Sequence, residues 1–203
     1  MTNGQSAAYN KYWVKHSIPV EGVIDLTSYF SNQNPIIMEI GTGMGEATWQ
    51  IAKFFPEVNF VGVEVHKPGL GSLVNKIEEN QLINLKLIEA DARILLEENI
   101  ANSSIDAFHL YFPDPWPKVR QRKRRIVQPD FIELIHKKLK PGGYIHSATD
   151  WIEYADWIEK RFDNSQLFTG GKIDRPNFRP ISKFEGQGLR KGHKVRDLKY
   201  FKN

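Results

Sequence analysis

Apolar residues recur along this 203-residue chain in short runs, separated by stretches in which they return every three or four positions. A polar and aromatic segment of weak periodicity, residues 1–34, comes first, and the regular alternation begins at Ile36. The short runs predict strands and the stretches between them predict helices. The predicted strands are 36–40, 59–64, 85–89, 105–112 and 144–149, and the predicted helices are 46–54, 70–79, 92–99, 131–139 and 151–162.

This alternation is typical of an α/β fold with a mostly parallel central sheet and helices on both faces. It predicts one such domain over residues 35–203, preceded by a partly ordered N-terminal arm over residues 1–34. In parallel sheets, ligands bind beyond the carboxyl ends of the strands. We therefore expect the residues that carry chemistry to follow the predicted strands directly.

Composition excludes several classes of protein. No apolar run approaches the roughly eighteen residues of a membrane span, and the N-terminus lacks the features of a secretory signal. The chain has no cysteine, which excludes disulfides and thiolate catalysis and fits a cytoplasmic protein. The histidines show no paired helical spacing, so we predict no metal site. The short apolar runs predict no membrane partner.

The positive charge is concentrated in two regions, although the formal net charge is only +4. Residues 118–125 contain six basic side chains and no acidic one, and residues 172–202 form a second basic region. A block of one sign indicates either a polyanionic partner or a disordered tail. Trp116 and Pro117 precede this block and a helical pattern follows it, which favours the partner.

A glycine-rich loop follows the first predicted strand in the run Glu39-Ile40-Gly41-Thr42-Gly43-Met44-Gly45. Glycines permit a tight turn and close approach of a ligand, and Glu64 ends the second strand, where an acid can accept both ribose hydroxyls. A dinucleotide site would favour glycine in place of Glu46, whose charge opposes phosphates at a helix N-terminus. S-adenosylmethionine carries cations and no phosphate, so it fits this loop better than a dinucleotide does. A nicotinamide dehydrogenase is the remaining alternative.

Two further acids belong to this end of the chain. Glu39 lies within an apolar run, where a carboxylate is costly unless it has a partner, so we favour a ligand role over a structural salt bridge. Asp91 follows the third predicted strand. It is either the N-cap of the next helix or an acceptor for the adenine amine of the cofactor, and the local sequence favours neither.

The fourth predicted strand ends in Phe112-Pro113-Asp114-Pro115-Trp116-Pro117-Lys118. Three prolines restrict φ and remove backbone donors, which predicts a stiff loop. This loop is either a preorganised site around Asp114 and Trp116, or a turn in which the aspartate caps the backbone and the tryptophan enters the core. The loop by itself leaves both interpretations open.

With these motifs the chain resembles the tRNA (guanine-N7)-methyltransferase family. The matching segments are 39–46, 62–66, 112–116 with Lys118, 123–128, 148–151 and 179–185, in the order of the family. The proline-aspartate-proline-tryptophan loop is the most specific of them. The resemblance implies a Rossmann-like, S-adenosylmethionine-dependent methyltransferase domain that methylates guanine 46 in the variable loop of tRNA. It leaves open whether the protein is a monomer or a homodimer.

The resemblance also implies a role for individual residues. Asp114 is the expected catalytic residue. The resemblance implies cofactor contacts at Glu39, Glu64, Asp91 and Asp114, and substrate contacts at Lys118, Asp150, Ser182, Lys183, Phe184 and Glu185. To these we add Gly41, Gly43, Gly45 and Ala92 as predicted cofactor residues, and Arg124 and Arg125 of the basic block as predicted substrate residues. Ser182 stands where the family often has threonine, and Gln187 where arginine is common, which puts one RNA contact in doubt.

The expected chemistry needs no general base, because guanine N7 is an acceptor without a proton. A carboxylate on the Watson–Crick edge would orient the base and favour the positive charge that the purine gains. Asp114 and Asp150 are the candidates, although Asp150 is also placed to cap the helix that follows it. We expect Lys118, Arg124 and Arg125 to contact phosphates. The alternatives are a methyltransferase with another RNA or small-molecule acceptor and a non-catalytic RNA-binding module.

Overall fold

The computed structural model describes residues 1–181, 185, 186, 190, 192 and 194–203. Two compact units divide the chain: Met1–Ala101 with Asn177–Pro180, and Asn102–Pro176 with Ile181–Asn203. The alternation of helices and strands in the two units confirms the predicted α/β class. Within the described residues, no helix is long and apolar enough to span a bilayer, and no cluster of three or more acidic or histidine side chains is arranged to hold a metal ion.

The first unit contains three parallel strands in the order β3-β2-β1. Its elements are α1 (Asn3–His16), β1 (Ile36–Ile40), α2 (Glu46–Phe54), β2 (Asn59–Glu64), α3 (Lys67–Glu79), β3 (Leu85–Glu89) and α4 (Ala92–Glu98). All three strands have the predicted bounds. The helix α3 begins three residues before the predicted start, with a proline in its first turn, where the missing N–H breaks no helical bond.

The N-terminal segment contains a helix that the sequence pattern does not predict. Thr2 and Gln5 form a capping box at the start of α1, which packs against α3. A side chain at Gly71 of α3 would place its Cβ only 2.7 Å from the carbonyl oxygen of Gln5. The hydroxyl of Tyr9 donates to Glu89 Oε2 at 2.5 Å. Tertiary contacts of this kind stabilise a helix whose own pattern is weak.

The second unit contains four strands in the order β4-β5-β7-β6. Its elements are β4 (Ile105–Tyr111), α5 (Pro129–Lys138), β5 (Leu139–Thr149), α6 (Ile152–Asp163), β6 (Phe168–Ile173) and β7 (Arg196–Lys202). β4 and β5 are parallel, whereas β7 is antiparallel to both β5 and β6. The sequence pattern does not predict β6 and β7. β5 also begins five residues before the predicted start and includes the segment 141–143, which was expected to separate helix from strand.

Buried polar residues support the end of β4 in this second unit. His146 of β5 shares a hydrogen bond of 2.9 Å with the hydroxyl of Tyr111 and one of 2.8 Å with Asp197 Oδ1. All three side chains are buried. Because buried polar groups are costly unless they are paired, these bonds restrict Tyr111 to one position. Tyr111 directly precedes the proline-rich loop.

Candidate active site

The glycine loop of the first unit adopts the backbone conformation that favours glycine. Gly41, Gly43 and Gly45 have φ values of +75°, +56° and +77°. A Cβ at Gly45 would also lie 2.6 Å from Leu73 Cδ1, whereas a Cβ at Gly41 or Gly43 would meet nothing within 4 Å. Gly45 is therefore required for packing as well as for the turn, and the backbone around the other two glycines is accessible to a ligand.

Glu64, the last residue of β2, connects its strand to the glycine loop. Its Oε2 accepts the N–H of Gly43 at 2.7 Å. Its Oε1 accepts the N–H groups of Val65 at 2.8 Å and His66 at 2.9 Å. A carboxylate offers about four acceptor positions, so these three bonds leave it able to accept a ligand hydroxyl.

Glu39 is the buried next-to-last residue of β1, and its Oε2 accepts no hydrogen bond from any described residue. Burial, and then the charge of Glu64, raise the pKa of Glu39 to about 8. A buried acceptor of this kind is poorly satisfied by the protein alone. A cationic group near the glycine loop would stabilise its charged form, so the residues present fit S-adenosylmethionine.

Asp91 follows β3 and is the N-cap of α4. Its Oδ1 accepts the N–H groups of Arg93 at 2.9 Å and Ile94 at 3.2 Å. The predicted capping role is therefore confirmed. Both bonds go to the same oxygen, so an additional contact of Oδ2 with a cofactor is compatible with the cap. Ala92, also expected at the cofactor, is the first residue of α4.

In the second unit, the proline-rich loop holds Asp114 between two strained residues. Phe112 and Trp116 have φ values of +50° and +40°, which non-glycine residues rarely adopt. The N–H of Phe112 donates to the carbonyl of Ala148 at 2.7 Å, and Arg125 Nε donates to the carbonyl of Pro115 at 2.8 Å. Strain of this kind persists where the surroundings over-determine it, and it is concentrated at functional sites. The carboxylate of Asp114 is exposed.

Arg125 makes contacts other than the expected phosphate contact. Its side chain is fully buried, and its guanidinium forms two hydrogen bonds with the carboxylate of Glu153, of 3.1 and 2.7 Å. These bonds lower the pKa of Glu153. The guanidinium also lies 4.9 Å from the ring centres of Tyr154 and Trp157. In this structure Arg125 is an internal residue, and no phosphate could reach it without rearrangement.

The neighbouring basic residues remain at the surface. The segment Val119–Arg124 forms a 3-10 helix, and the side chains of Lys118, Lys123 and Arg124 are exposed. The Arg124 guanidinium lies over the ring of Trp116, 5.0 Å from its centre. Trp116 is half-buried, so it supports the loop on one side and Arg124 on the other.

An open cavity of about 670 Å³ within the second unit includes Asp150 in its lining. Its other lining residues include Pro117, Arg122, Trp151, Ile152, Glu153 and Lys194. The sequence pattern did not single out these six as site residues, although Trp151 and Glu153 lie beside Asp150 in the chain. Asp150 is not the N-cap that the sequence predicted for α6. The helix begins at Ile152 with Trp151 as its N-cap, and Asp150 precedes both.

Four substrate residues were expected in the segment 182–185. Ser182, Lys183 and Phe184 lie outside the described residues, as does Gln187. Glu185 is described and is buried. The roles of all four in substrate binding stay predictions.

A family model described as a methyltransferase matches residues 33–198. The chain is 45% identical over 201 residues to a tRNA (guanine-N(7)-)-methyltransferase from Nitrosomonas europaea, covering 97% of this chain and 90% of that protein. It is 44% identical over 205 residues to a protein of the same name from Streptomyces avermitilis, covering 98% of this chain and 70% of that protein. These similarities establish the family of the chain and confirm the expected resemblance.

Among solved structures, the fold is similar to that of the 16S rRNA methyltransferase KamB. The TM-score is 0.66 at 14% sequence identity, and the match covers 91% of this chain and 96% of that chain. The aminoglycoside resistance methyltransferase NpmB1 matches with a TM-score of 0.60 at 17% identity, covering 88% of this chain and 92% of that chain. At these identities the comparison shows the fold alone, and it confirms a methyltransferase architecture.

Proposed function

We propose that this chain, which belongs to the tRNA (guanine-N(7)-)-methyltransferase family, transfers a methyl group from S-adenosylmethionine to N7 of guanine 46 in the variable loop of tRNA. The observation that carries the proposal is the loop around Asp114. Its exposed carboxylate lies between two strained residues, Phe112 and Trp116. The N–H of Phe112 is hydrogen-bonded, and a buried arginine donates to the carbonyl of Pro115. An exposed basic segment follows it directly.

The first unit provides the residues that would hold the cofactor. S-adenosylmethionine supplies, when bound, a methyl group activated by a sulfonium cation. We assign a ribose hydroxyl to Glu64, which already positions the glycine loop, and the adenine amine to Asp91. Glu39 supplies negative charge for the cationic part of the cofactor, and its unsatisfied oxygen supports this assignment. The contribution of Asp114 to cofactor binding stays a prediction.

The nucleophile is the lone pair of guanine N7, which forms the new bond to the methyl carbon as the bond from that carbon to sulfur breaks. Since N7 bears no proton, no side chain has to act as a base. Catalysis then depends on holding N7 in line with the methyl carbon, and positioning of this kind accounts for roughly 7–11 kcal/mol of a barrier.

We assign the orientation of the guanine to Asp114, with Asp150 in support. Each carboxylate follows a strand of the second unit, and Asp150 lines the open cavity there. A carboxylate that accepts the N1 and N2 hydrogens of guanine also stabilises the positive charge that the ring acquires in the transition state. Asp114 therefore acts as an orienting and charge-stabilising group.

The exposed basic residues would hold the tRNA backbone. Lys118, Lys123 and Arg124 present cations next to the Asp114 loop, and the ordered 3-10 helix fixes their spacing. Phosphate contacts position an RNA, while its unstacked bases carry the sequence information. This division of roles matches a substrate whose target base lies in a loop.

The direct test incubates the protein with radiolabelled S-adenosylmethionine and unmodified tRNA, and then maps the labelled nucleotide. We expect one labelled guanine at position 46. Label elsewhere in the tRNA, or in another RNA only, would support a different acceptor. Absence of label despite bound cofactor would support a non-catalytic RNA-binding protein.

The variant Asp114→Asn keeps the shape of the side chain and removes its charge. We expect turnover to fall by about 10²–10³-fold, because one preorganised group that stabilises the transition state is lost. Asp156→Asn, an exposed aspartate of α6, is the matched control and should turn over like the wild type. Wild-type rates for Asp114→Asn would remove Asp114 from the site.

A cytoplasmic location is part of this proposal, as is a monomeric or homodimeric state. Light scattering on the purified protein decides between the two oligomeric states.

A further inference from the structure

One buried guanidinium lies between the two segments that carry the candidate carboxylates. Arg125 Nε donates to the carbonyl of Pro115, the residue after Asp114. Its two terminal nitrogens donate to Glu153, three residues after Asp150. Every one of these groups belongs to the second unit. A single planar side chain therefore contacts both segments at once.

The surroundings leave this guanidinium little freedom. Its side chain has no exposed surface, and the rings of Tyr154 and Trp157 each lie 4.9 Å from its central carbon. The indole N–H of Trp157 donates in turn to the carbonyl of Val127 at 2.9 Å. A buried charge destabilises the fold unless its donors form hydrogen bonds. Here the Nε and both terminal nitrogens of Arg125 each donate one.

The contact with Pro115 comes at the strained part of the loop. The following residue, Trp116, has a φ of +40°. The three prolines of this loop supply no N–H, and Arg125 Nε donates to the carbonyl of Pro115, which follows Asp114. Arg125 therefore holds the backbone next to the Asp114 carboxylate.

We infer that Arg125 is a positioning residue that fixes the Asp114 loop relative to the turn carrying Asp150. The effect of this positioning on catalysis rests on the proposed function, in which the carboxylates of Asp114 and Asp150 contact the same guanine. Arg125 itself contacts neither substrate nor cofactor. Its planar, forked donors suit this role, whereas lysine has a single ammonium that cannot make both contacts in the same geometry.

The variant Arg125→Lys keeps the charge and removes the fork. We expect kcat at saturating tRNA and cofactor to fall by about tenfold to 100-fold, because small displacements of positioning groups have effects of this size. The KM for tRNA and the Kd for S-adenosylmethionine should stay within about twofold of the wild type. A raised KM for tRNA with unchanged kcat would show a phosphate contact and overturn the inference.

Arg161→Lys is the matched control. Arg161 also lies over Trp157, 4.3 Å from its ring centre, and belongs to the same helix as Glu153. The substitution therefore makes the same chemical change beside the same indole, away from the Asp114 loop. We expect unchanged kcat. An equal loss in both variants would mean that packing around Trp157, and not the link to the loop, matters for turnover.

Glu153→Gln keeps the inference testable if Arg125→Lys does not fold. It neutralises the carboxylate and leaves the Pro115 contact, so kcat should fall by a smaller factor. Tm should also fall, because the buried guanidinium loses its counter-charge. Where both variants fold, the double variant should lose no more than Arg125→Lys alone, because the two residues act through one contact. An unchanged kcat in Glu153→Gln, or fully multiplicative losses, would overturn the inference.

A spectroscopic measurement separates this inference from the proposed function. The indole signals of Trp116 and Trp151, in a protein labelled with ¹⁵N-tryptophan, report on the two segments. Both should shift in Arg125→Lys, and neither should shift in Arg161→Lys. Shifts in an enzyme that methylates no tRNA would uphold the positioning role while the proposed function fails. Unshifted Trp116 and Trp151 signals in Arg125→Lys would overturn the positioning role.

Discussion

The carboxylate of Glu64 accepts the backbone N–H of Gly43 at 2.7 Å, which links the end of β2 to the middle of the glycine loop. The same residue is assigned to the ribose of the cofactor. Under this assignment one side chain shapes the loop and binds the ligand, so we expect a change at this position to affect both.

Glu64→Ala should raise the Kd for S-adenosylmethionine by about tenfold or more, since a hydrogen bond to a charged group is worth about 1.5–3 kcal/mol. Isothermal titration calorimetry measures this effect. Glu57→Ala, at an exposed acid of the same unit, should leave the Kd unchanged. Equal affinity of Glu64→Ala and the wild type would contradict the ribose assignment.

The raised pKa of Glu39 predicts how stability depends on pH. The folded protein holds this proton up to about pH 8, whereas the unfolded chain loses it near pH 4.5. The folded state therefore binds more protons between these values, and stability falls as pH rises through that window. Relative to Glu39→Gln, the wild type should lose at most about 1.4 kcal/mol of unfolding free energy per pH unit. Urea denaturation at pH 5, 6, 7 and 8 measures the difference, and parallel curves would contradict the shifted pKa.

The same residue predicts the pH dependence of cofactor binding. A cation beside Glu39 favours its charged form, which is more populated at pH 8 than at pH 6. S-adenosylmethionine should therefore raise the Tm of the wild type more at pH 8 than at pH 6, and this pH effect should be smaller in Glu39→Gln. Protonation of the cofactor affects both proteins equally, so it does not contribute to the difference between them. The same growth in the two proteins would exclude Glu39 from the cofactor site.

The exposed cations of the second unit predict the salt dependence of tRNA binding. Replacing both Lys123 and Arg124 by alanine should weaken binding and reduce the slope of log K against log salt by about 1.5, the effect of two phosphate contacts. Filter binding over a range of salt concentrations measures it. Lys160→Ala, at an exposed lysine of α6, is the control and should keep the wild-type slope. An unchanged slope in the double variant would exclude phosphate contacts at these two positions.

The N-terminal helix predicts a local contribution to stability. Tyr9→Phe removes the hydrogen bond to Glu89, the last residue of β3, and should lower the unfolding free energy by about 1–2 kcal/mol. Tyr29→Phe removes a hydroxyl that makes no hydrogen bond among the described residues, so it should have little effect. Equal midpoints of the two variants in urea would show that the Tyr9 contact is not formed in solution.

Local pattern predicted much of the first unit, because its strands are short apolar runs bounded by turn residues. The bounds of β1, β2 and β3 could be predicted from the residues between Ile36 and Glu89 alone. The position of Glu64 at a strand end is likewise a local property. The helix α1 was not predicted, since it depends on packing against α3 and on contacts such as that of Tyr9 with Glu89. β6 and β7 were missed for a related reason: their pairing partners lie in distant segments.

The sequence by itself determined the family motifs, the α/β class and the order in which acids follow the strands. Only the tertiary structure decided which of two adjacent arginines faces the interior. Arg124 and Arg125 are equivalent in a linear pattern of charge, but Glu153 and Trp157 lie 28 and 32 residues further along the chain and surround only the second. A charge is buried where distant groups pair with it, and one-dimensional spacing carries no record of that pairing.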